Sequence, residues 1–147
     1  MIVKINGYPI TTQFHQIDGL HPIPHQGIDL AMPMGTPIHS VGYGVVTATS
    51  DEGATSFGKS VHVHMIDGHD AIYGHLSGFN VRTGQTIQQG DVIGYAGSTG
   101  YSTGSHLHLQ VMSHNTPIDP ISYVASVTPV SSHPWYDVPD KIVDALQ

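Results

Sequence analysis

The sequence predicts an all-β domain built from short antiparallel strands. Three observations point there. Apolar and polar residues alternate in runs of about five, and no sustained 3.6-residue periodicity appears before the last few residues. Glycine (17) and proline (10) punctuate those runs at turn-like intervals. The chain of 147 residues is also long enough for one hydrophobic core.

The elements follow in order. Ile10-Thr11-Thr12-Gln13-Phe14 reads as a strand, and residues 15–24 form a loop carrying Gly19, Pro22 and Pro24. Gly27-Ile28-Asp29-Leu30-Ala31 reads as a short strand, closed by Pro33 and the Gly35-Thr36-Pro37 turn. Residues 37–49 carry a strand, a turn at Gly42 to Gly44 and the strand Val45-Val46-Thr47-Ala48, followed by a polar loop over 50–58. Val61 to Met65 alternates cleanly, and Asp67-Gly68 turns the chain into Ala71-Ile72-Tyr73. Two glycine-flanked strands come next, around Gln85-Thr86-Ile87 and Val92-Ile93-Gly94-Tyr95. Gly84 and Gly90 are expected at tight turns, where a positive φ is free of steric cost for glycine. His106 to Met112 is a last alternating strand. The domain is therefore expected to occupy residues 1–125. Residues 126–147 read as a linker (126–134) and a short segment in which Val138 to Leu146 forms one or two amphipathic helical turns.

Composition removes several functions. There is no cysteine, which excludes disulfide frameworks, thiolate zinc clusters and cysteine nucleophiles. Net charge is −7 with four basic residues, Lys4, Lys59, Arg82 and Lys141, so no basic surface for nucleic acid exists. No apolar run approaches the roughly 18 residues of a membrane span. Met1 to Gly7 reads as a strand and turn with no hydrophobic leader behind it. The expectation is an unexported protein, a virus-borne or holin-released one, or a domain cut from a longer polypeptide.

Chemistry is concentrated in five residues in a fixed order. They are His25 and Asp29 in a His-x-x-x-Asp spacing, His75 within Tyr73-Gly74-His75-Leu76, and His106 and His108 in a His-x-His spacing. Imidazole and carboxylate bind zinc at about 2.0–2.2 Å, and catalytic zinc keeps three protein ligands and one open position. On a strand, His106, His108 and Gln110 share one face and Leu107, Leu109 and Val111 the other. The leucine face can enter the core while the histidine face lines a cleft. This geometry fits a mononuclear zinc site, one ion per chain, of His25, Asp29 and His108. Two further histidines beside it would suffice to hydrolyse an amide. His62-Val63-His64 is a second His-x-His pair, but without comparable turn chemistry around it both residues are expected to be exposed. His15, His21, His39, His69, His114 and His133 are expected on the solvated surface, and Tyr73 in packing.

Taken together, the five residues and their surroundings resemble the lysostaphin/LytM-type zinc endopeptidases of bacterial cell walls. The matching stretches are His25-Gln26-Gly27-Ile28-Asp29-Leu30-Ala31, Gly35-Thr36-Pro37-Ile38, Gly44-Val45-Val46 and Ile72-Tyr73-Gly74-His75-Leu76-Ser77. Val81 to Gly94, Gly97-Ser98-Thr99-Gly100, Thr103 to Val111 and the exit Pro117-Ile118-Asp119-Pro120 continue the likeness, which spans about residues 10–123. Two departures are mild: Ser105 stands where the family often has proline, and Gln110 where it often has glutamate.

The resemblance implies a groove over the central sheet, zinc on His25, Asp29 and His108, and catalytic roles for His75 and His106. It implies a bacterial peptidoglycan peptide as substrate, cleaved in a stem or a cross-bridge. The protein is then expected to act as a monomer at the cell wall, extracellular or virion-associated, as a phage or prophage lytic or tail activity. An inactive wall-binding or regulatory module is the alternative, but such members usually lack one of the five residues. A biotinyl- or lipoyl-like carrier is a second one, suggested by Gly84 to Ile93, and it lacks an exposed lysine on a hairpin tip.

Overall fold

The computed structural model describes residues 4–5, 8–12, 26–53, 57–99, 104–121 and 123. The described residues form eleven strands: β1 (Lys4–Ile5), β2 (Tyr8–Thr12), β3 (Ile28–Ala31), β4 (Pro37–His39), β5 (Gly44–Asp51), β6 (Lys59–Met65), β7 (Asp70–Phe79), β8 (Thr86–Ile87), β9 (Val92–Ala96), β10 (His106–Ser113) and β11 (Thr116–Ile118). All pairings are antiparallel. The main path runs β1-β2-β3-β10-β7-β6-β5-β8; β11 adds to β10, and β9 bridges β4 and β7.

Alternation decides which side of each strand meets the core. Leu107, Leu109 and Val111 of β10 are buried together with Ile28 and Leu30 of β3, Ala71 and Tyr73 of β7, and Val61 and Val63 of β6. Each such aliphatic side chain contributes about 1.5–3 kcal/mol by leaving water. Tyr73 lies wholly inside this cluster, and its hydroxyl accepts the Val41 N–H at 2.9 Å. Burial pushes that hydroxyl's pKa up to about 12, so it is a neutral packing group, as expected.

The strands are longer than their alternation suggested. β5 runs on to Asp51, and β7 continues through Ser77 and Gly78 to Phe79, where β9 becomes its neighbour. Pro117 sits in β11, a short strand on the far end of β10 that was read only as an exit segment. Proline is tolerated there because an edge strand needs no donor on its open side. Gly84 and Gly90 have φ of 91° and 95°, as their turns require. Backbone at Pro120, Ile121 and Tyr123 is helical, and the Tyr123 hydroxyl donates to Asp67 at 2.8 Å, tying this turn to the β6–β7 connection. The loop over 15–24, Gln13 and Phe14, and the linker and helical turns expected over 126–147 lie outside the described residues, as do His15, His21 and His133. Among the described residues no helix is long and apolar enough to cross a membrane.

The second His-x-His pair divides. His64 is exposed, with Nδ1 2.8 Å from Asp70 Oδ1, as expected. His62 is instead half-buried and hydrogen-bonds Ser60 Oγ at 3.1 Å, beside a pocket that it lines with Thr47 of β5, Asp70 and Met112. His39 and His69 are half-buried too, the first against the Gly90 carbonyl at 2.8 Å, the second beside Tyr123 with ring centres 4.7 Å apart and planes tilted by 48°; His114 is exposed. Burial holds the His62 pKa below its usual 6.5, with Glu52 and Asp70 opposing that shift. A histidine depressed on folding binds its proton more tightly in the unfolded chain. Its contribution is therefore fully present above pH 6.5 and is lost as pH falls below it. His62→Gln should flatten the fall in Tm between about pH 7.5 and 5. An unchanged slope would show that His62 titrates alike in both states.

Gly27, just before β3, is set by close approach. A Cβ there would run into the Leu109 carbonyl oxygen and stand 2.9 Å from His108 Nε2. Gly27→Ala should lower stability by about 1–3 kcal/mol, the range for forced overpacking. Denaturant unfolding measures it, and a neutral result would mean that β3 and β10 can part without cost.

Candidate active site

β10 lies between β3 and β7, so one of its residues has a partner on each side. His108 faces Asp29 across the β3 pairing and Gly74 across the β7 pairing. Asp29 lies on the face of β3 opposite Ile28 and Leu30, as His108 does on β10 opposite Leu107 and Leu109. Asp29 Oδ1 and His108 Nδ1 are 3.0 Å apart. Gly74 offers no side chain, and the space above it holds the Phe57 ring, which a Cβ would approach to 2.9 Å. The Phe57 ring centre stands 5.1 Å from that of His108.

His75 reaches the same face through a break in the alternation. Between the pairs Lys59↔Leu76 and Val61↔Tyr73, β7 has one residue more than β6. That extra residue is a β-bulge, which re-aims a side chain. Tyr73 and Leu76 both stay in the core, and Gly74 and His75 are left between them. The backbone of His75 takes φ 61°, a left-handed conformation that costs a non-glycine residue on the order of 1–3 kcal/mol. Its N–H donates to the Phe57 carbonyl at 2.7 Å, and Nδ1 donates to the Thr99 carbonyl at 2.7 Å. Thr99 is itself held, its hydroxyl donating to the Leu76 carbonyl at 2.6 Å and accepting the Lys59 N–H at 3.0 Å.

With Nδ1 donating, His75 carries its lone pair on Nε2. Burial lowers the pKa of this ring; the His106 and His108 rings push the same way, and the Thr99 hydrogen bond and Asp29 oppose them. The imidazole is neutral at neutral pH. His106 is fixed in the same tautomer, its Nδ1 donating to the Gly104 carbonyl at 2.8 Å. Its Nε2 stands 3.7 Å from Asp29 Oδ1, and its ring centre 4.7 Å from that of His75.

Four of the five residues expected from the sequence, Asp29, His75, His106 and His108, therefore gather on one face of the sheet. His25 lies outside the described residues, and among the described residues alone no three histidine or carboxylate side chains close a metal site. The donors that are described suit zinc. A carboxylate oxygen and an imidazole nitrogen 3.0 Å apart can share an ion bound at about 2.0–2.2 Å from each. His108 and Gln110 are more enclosed than a cleft-lining face suggests, at 6% and 4% exposure.

Other contributors were not singled out from the sequence. Phe57 was hidden in a stretch read only as a polar loop, although it is the one aromatic residue there. Thr99 acts through its carbonyl, which no side-chain pattern reveals. Gln110, by contrast, is placed by the alternation of β10 on the face of His106 and His108, and it lies there with Oε1 3.0 Å from His108 Nε2.

Comparison with known proteins agrees with this arrangement. Residues 23–120 match the model of peptidase family M23. The DD-carboxypeptidase/endopeptidase Mpg of Neisseria meningitidis is 40% identical over 115 residues, covering 75% of this chain and 26% of the relative. The present chain thus spans about a quarter of that protein's length. Among solved structures, the catalytic domain of the antimicrobial peptidase lysostaphin from Staphylococcus simulans superposes with a TM-score of 0.68 at 34% identity, covering 83% of this chain and 92% of that one. A zinc-containing peptidase from Vibrio cholerae gives a TM-score of 0.72 at 32% identity over 80% of this chain and 37% of the other. With its family match extending over the strands that carry Asp29, His75, His106 and His108, this chain belongs to peptidase family M23.

Proposed function

We propose that this domain is a zinc-dependent endopeptidase that hydrolyses amide bonds in the peptides of bacterial peptidoglycan. The observation that carries the reading is the convergence of Asp29 Oδ1, His108 Nδ1 and His106 Nε2 within 3.0–3.7 Å, with the His75 ring beside them. Asp29, His108 and His25 are assigned as the metal ligands, and His75 and His106 as the catalytic pair. Zinc held there would polarise the scissile carbonyl and lower the pKa of a bound water to about 7.

The chain's own residues do the rest. His75 and His106 each donate through Nδ1 to a fixed backbone carbonyl, so each turns a proton-accepting Nε2 away from that carbonyl. One of the pair takes the proton of the attacking water and returns it to the leaving amine. The other, once its Nε2 has also taken a proton, donates a hydrogen bond from Nε2 to the oxyanion of the tetrahedral intermediate. Phe57, against His75 and His108, keeps bulk water from that side of the rings. The gathering of four functional residues on one face favours catalysis over the inactive wall-binding module. The names of the relatives, a DD-carboxypeptidase/endopeptidase and lysostaphin, support wall peptides as the substrate class. The proposal extends to a phage or prophage lytic setting for this activity.

Digestion of a panel of purified peptidoglycans, read by mass spectrometry, tests this directly. Chelator-sensitive release of peptides with new amino termini is expected, and the masses identify the bond. Protein that holds zinc yet releases nothing from any wall would defeat the proposal. His108→Ala should lose metal and activity together. His75→Ala should keep metal and lose activity by about 10²–10⁴-fold, the range for a general acid–base group; a fully active variant would remove His75 from the chemistry.

A further inference from the structure

The imidazole of His108 faces hydrogen-bond acceptors at both ends. Nδ1 is 3.0 Å from Asp29 Oδ1, and Nε2 is 3.0 Å from Gln110 Oε1. A neutral ring can donate from only one of its nitrogens. Which one is decided further along the same strand face. The amide nitrogen of Gln110 lies 3.2 Å from Met112 Sδ. A thioether sulfur has no proton to give, so the end of the amide that faces it is the NH₂. The oxygen end then faces His108, so a ring that gives Nδ1 to a metal has an acceptor in place for its Nε2 proton. The lone pair of Nδ1 is left directed at the same place as the Asp29 carboxylate. Two electron-pair donors that close together belong on opposite sides of a cation.

We propose that Gln110 and Met112 are positioning residues that fix His108 as an Nδ1 metal ligand. The inference rests on the assignment of Asp29 and His108 as ligands. His108, Gln110 and Met112 fall at alternate positions of β10, so one strand face carries the ligand, the group that sets its tautomer and the group that orients that group. Gln110 is 4% exposed, which keeps water from substituting for it. The need for Met112 follows from the amide. A glutamine has two unlike ends, and one must be anchored if the other is always to accept. A carboxylate has two equivalent oxygens and needs no such anchor.

Zinc affinity, measured by competition with a chromophoric chelator, tests the relay, and thermal unfolding of the metal-free proteins checks that the fold is intact. Gln110→Leu, of similar volume, should bind zinc about 10–100-fold more weakly, the usual cost of losing a group that orients a ligating histidine. Gln110→Glu should bind zinc at least as tightly as the parent, because it keeps the acceptor and adds a negative charge beside the ligand. Met112→Leu should weaken binding in the parent and have no effect in the Gln110→Glu background, a non-additivity that a packing role would not produce. Long-range ¹⁵N–¹H spectra of the zinc-loaded protein should show His108 with its proton on Nε2, and that Nε2–H signal should shift in Gln110→Leu, where its acceptor is gone. Equal zinc affinity for the parent and Gln110→Leu would overturn the relay. Failure of the parent itself to bind zinc would instead overturn the ligand assignment beneath it.

Discussion

The pairing of β10 between β3 and β7 is the constraint on which the rest of the molecule depends. It places His108 opposite Asp29 on one side and Gly74 on the other. The same register puts Leu107, Leu109 and Val111 against the core. A slip of one residue would exchange the two faces, sending imidazoles into the hydrophobic interior and leucines to the site. Core packing and site geometry are therefore one specification. Several kcal/mol of buried leucine and valine hold the histidines in register, far more than the histidines could supply themselves.

Regular pairing alone would still leave the site incomplete. Strict alternation from Tyr73 would point His75 back into the core. The bulge between Tyr73 and Leu76 adds one residue and turns His75 outward, at the cost of a left-handed backbone. That conformation is held from two directions. The Phe57 carbonyl takes the His75 N–H, and the Thr99 carbonyl takes its ring N–H. These carbonyls come from separate loops, so two surface connections are needed to hold one side chain.

This division explains what could be read from the sequence. Alternation in Val61 to Met65 and His106 to Met112 marks both the strands and their inward faces, and four of the five spaced residues, Asp29, His75, His106 and His108, come together on one face. The long extension of β7 was hidden because Ser77 and Gly78 look like a turn and become strand only through pairing with β9. Half-burial of His62 depends on neighbouring strands rather than its own segment. Thr99 and Phe57 contribute backbone carbonyls and a ring from loops whose paths no local pattern fixes. The tautomer of His108 was invisible for a related reason. Gln110 could be placed on the right face, but only the sulfur of Met112 says which end of its amide turns toward the ring.

The choice of an amide at position 110 has an electrostatic consequence. With zinc on Asp29 and two neutral imidazoles, the proposed site carries a net charge of about +1. A glutamate at the same place, accepting from the same Nε2–H, would bring a second negative charge next to the ligand and cancel it. The metal would be held more firmly, and its pull on a water or a carbonyl oxygen would weaken, because both effects draw on the same positive charge. Glutamine keeps the directional hydrogen bond without that neutralisation. In a site as enclosed as that of His108 the effective dielectric constant is low, so the loss of one charge would be felt strongly. The amide has its own requirement, a fixed orientation, and Met112 meets it from two residues along the same strand.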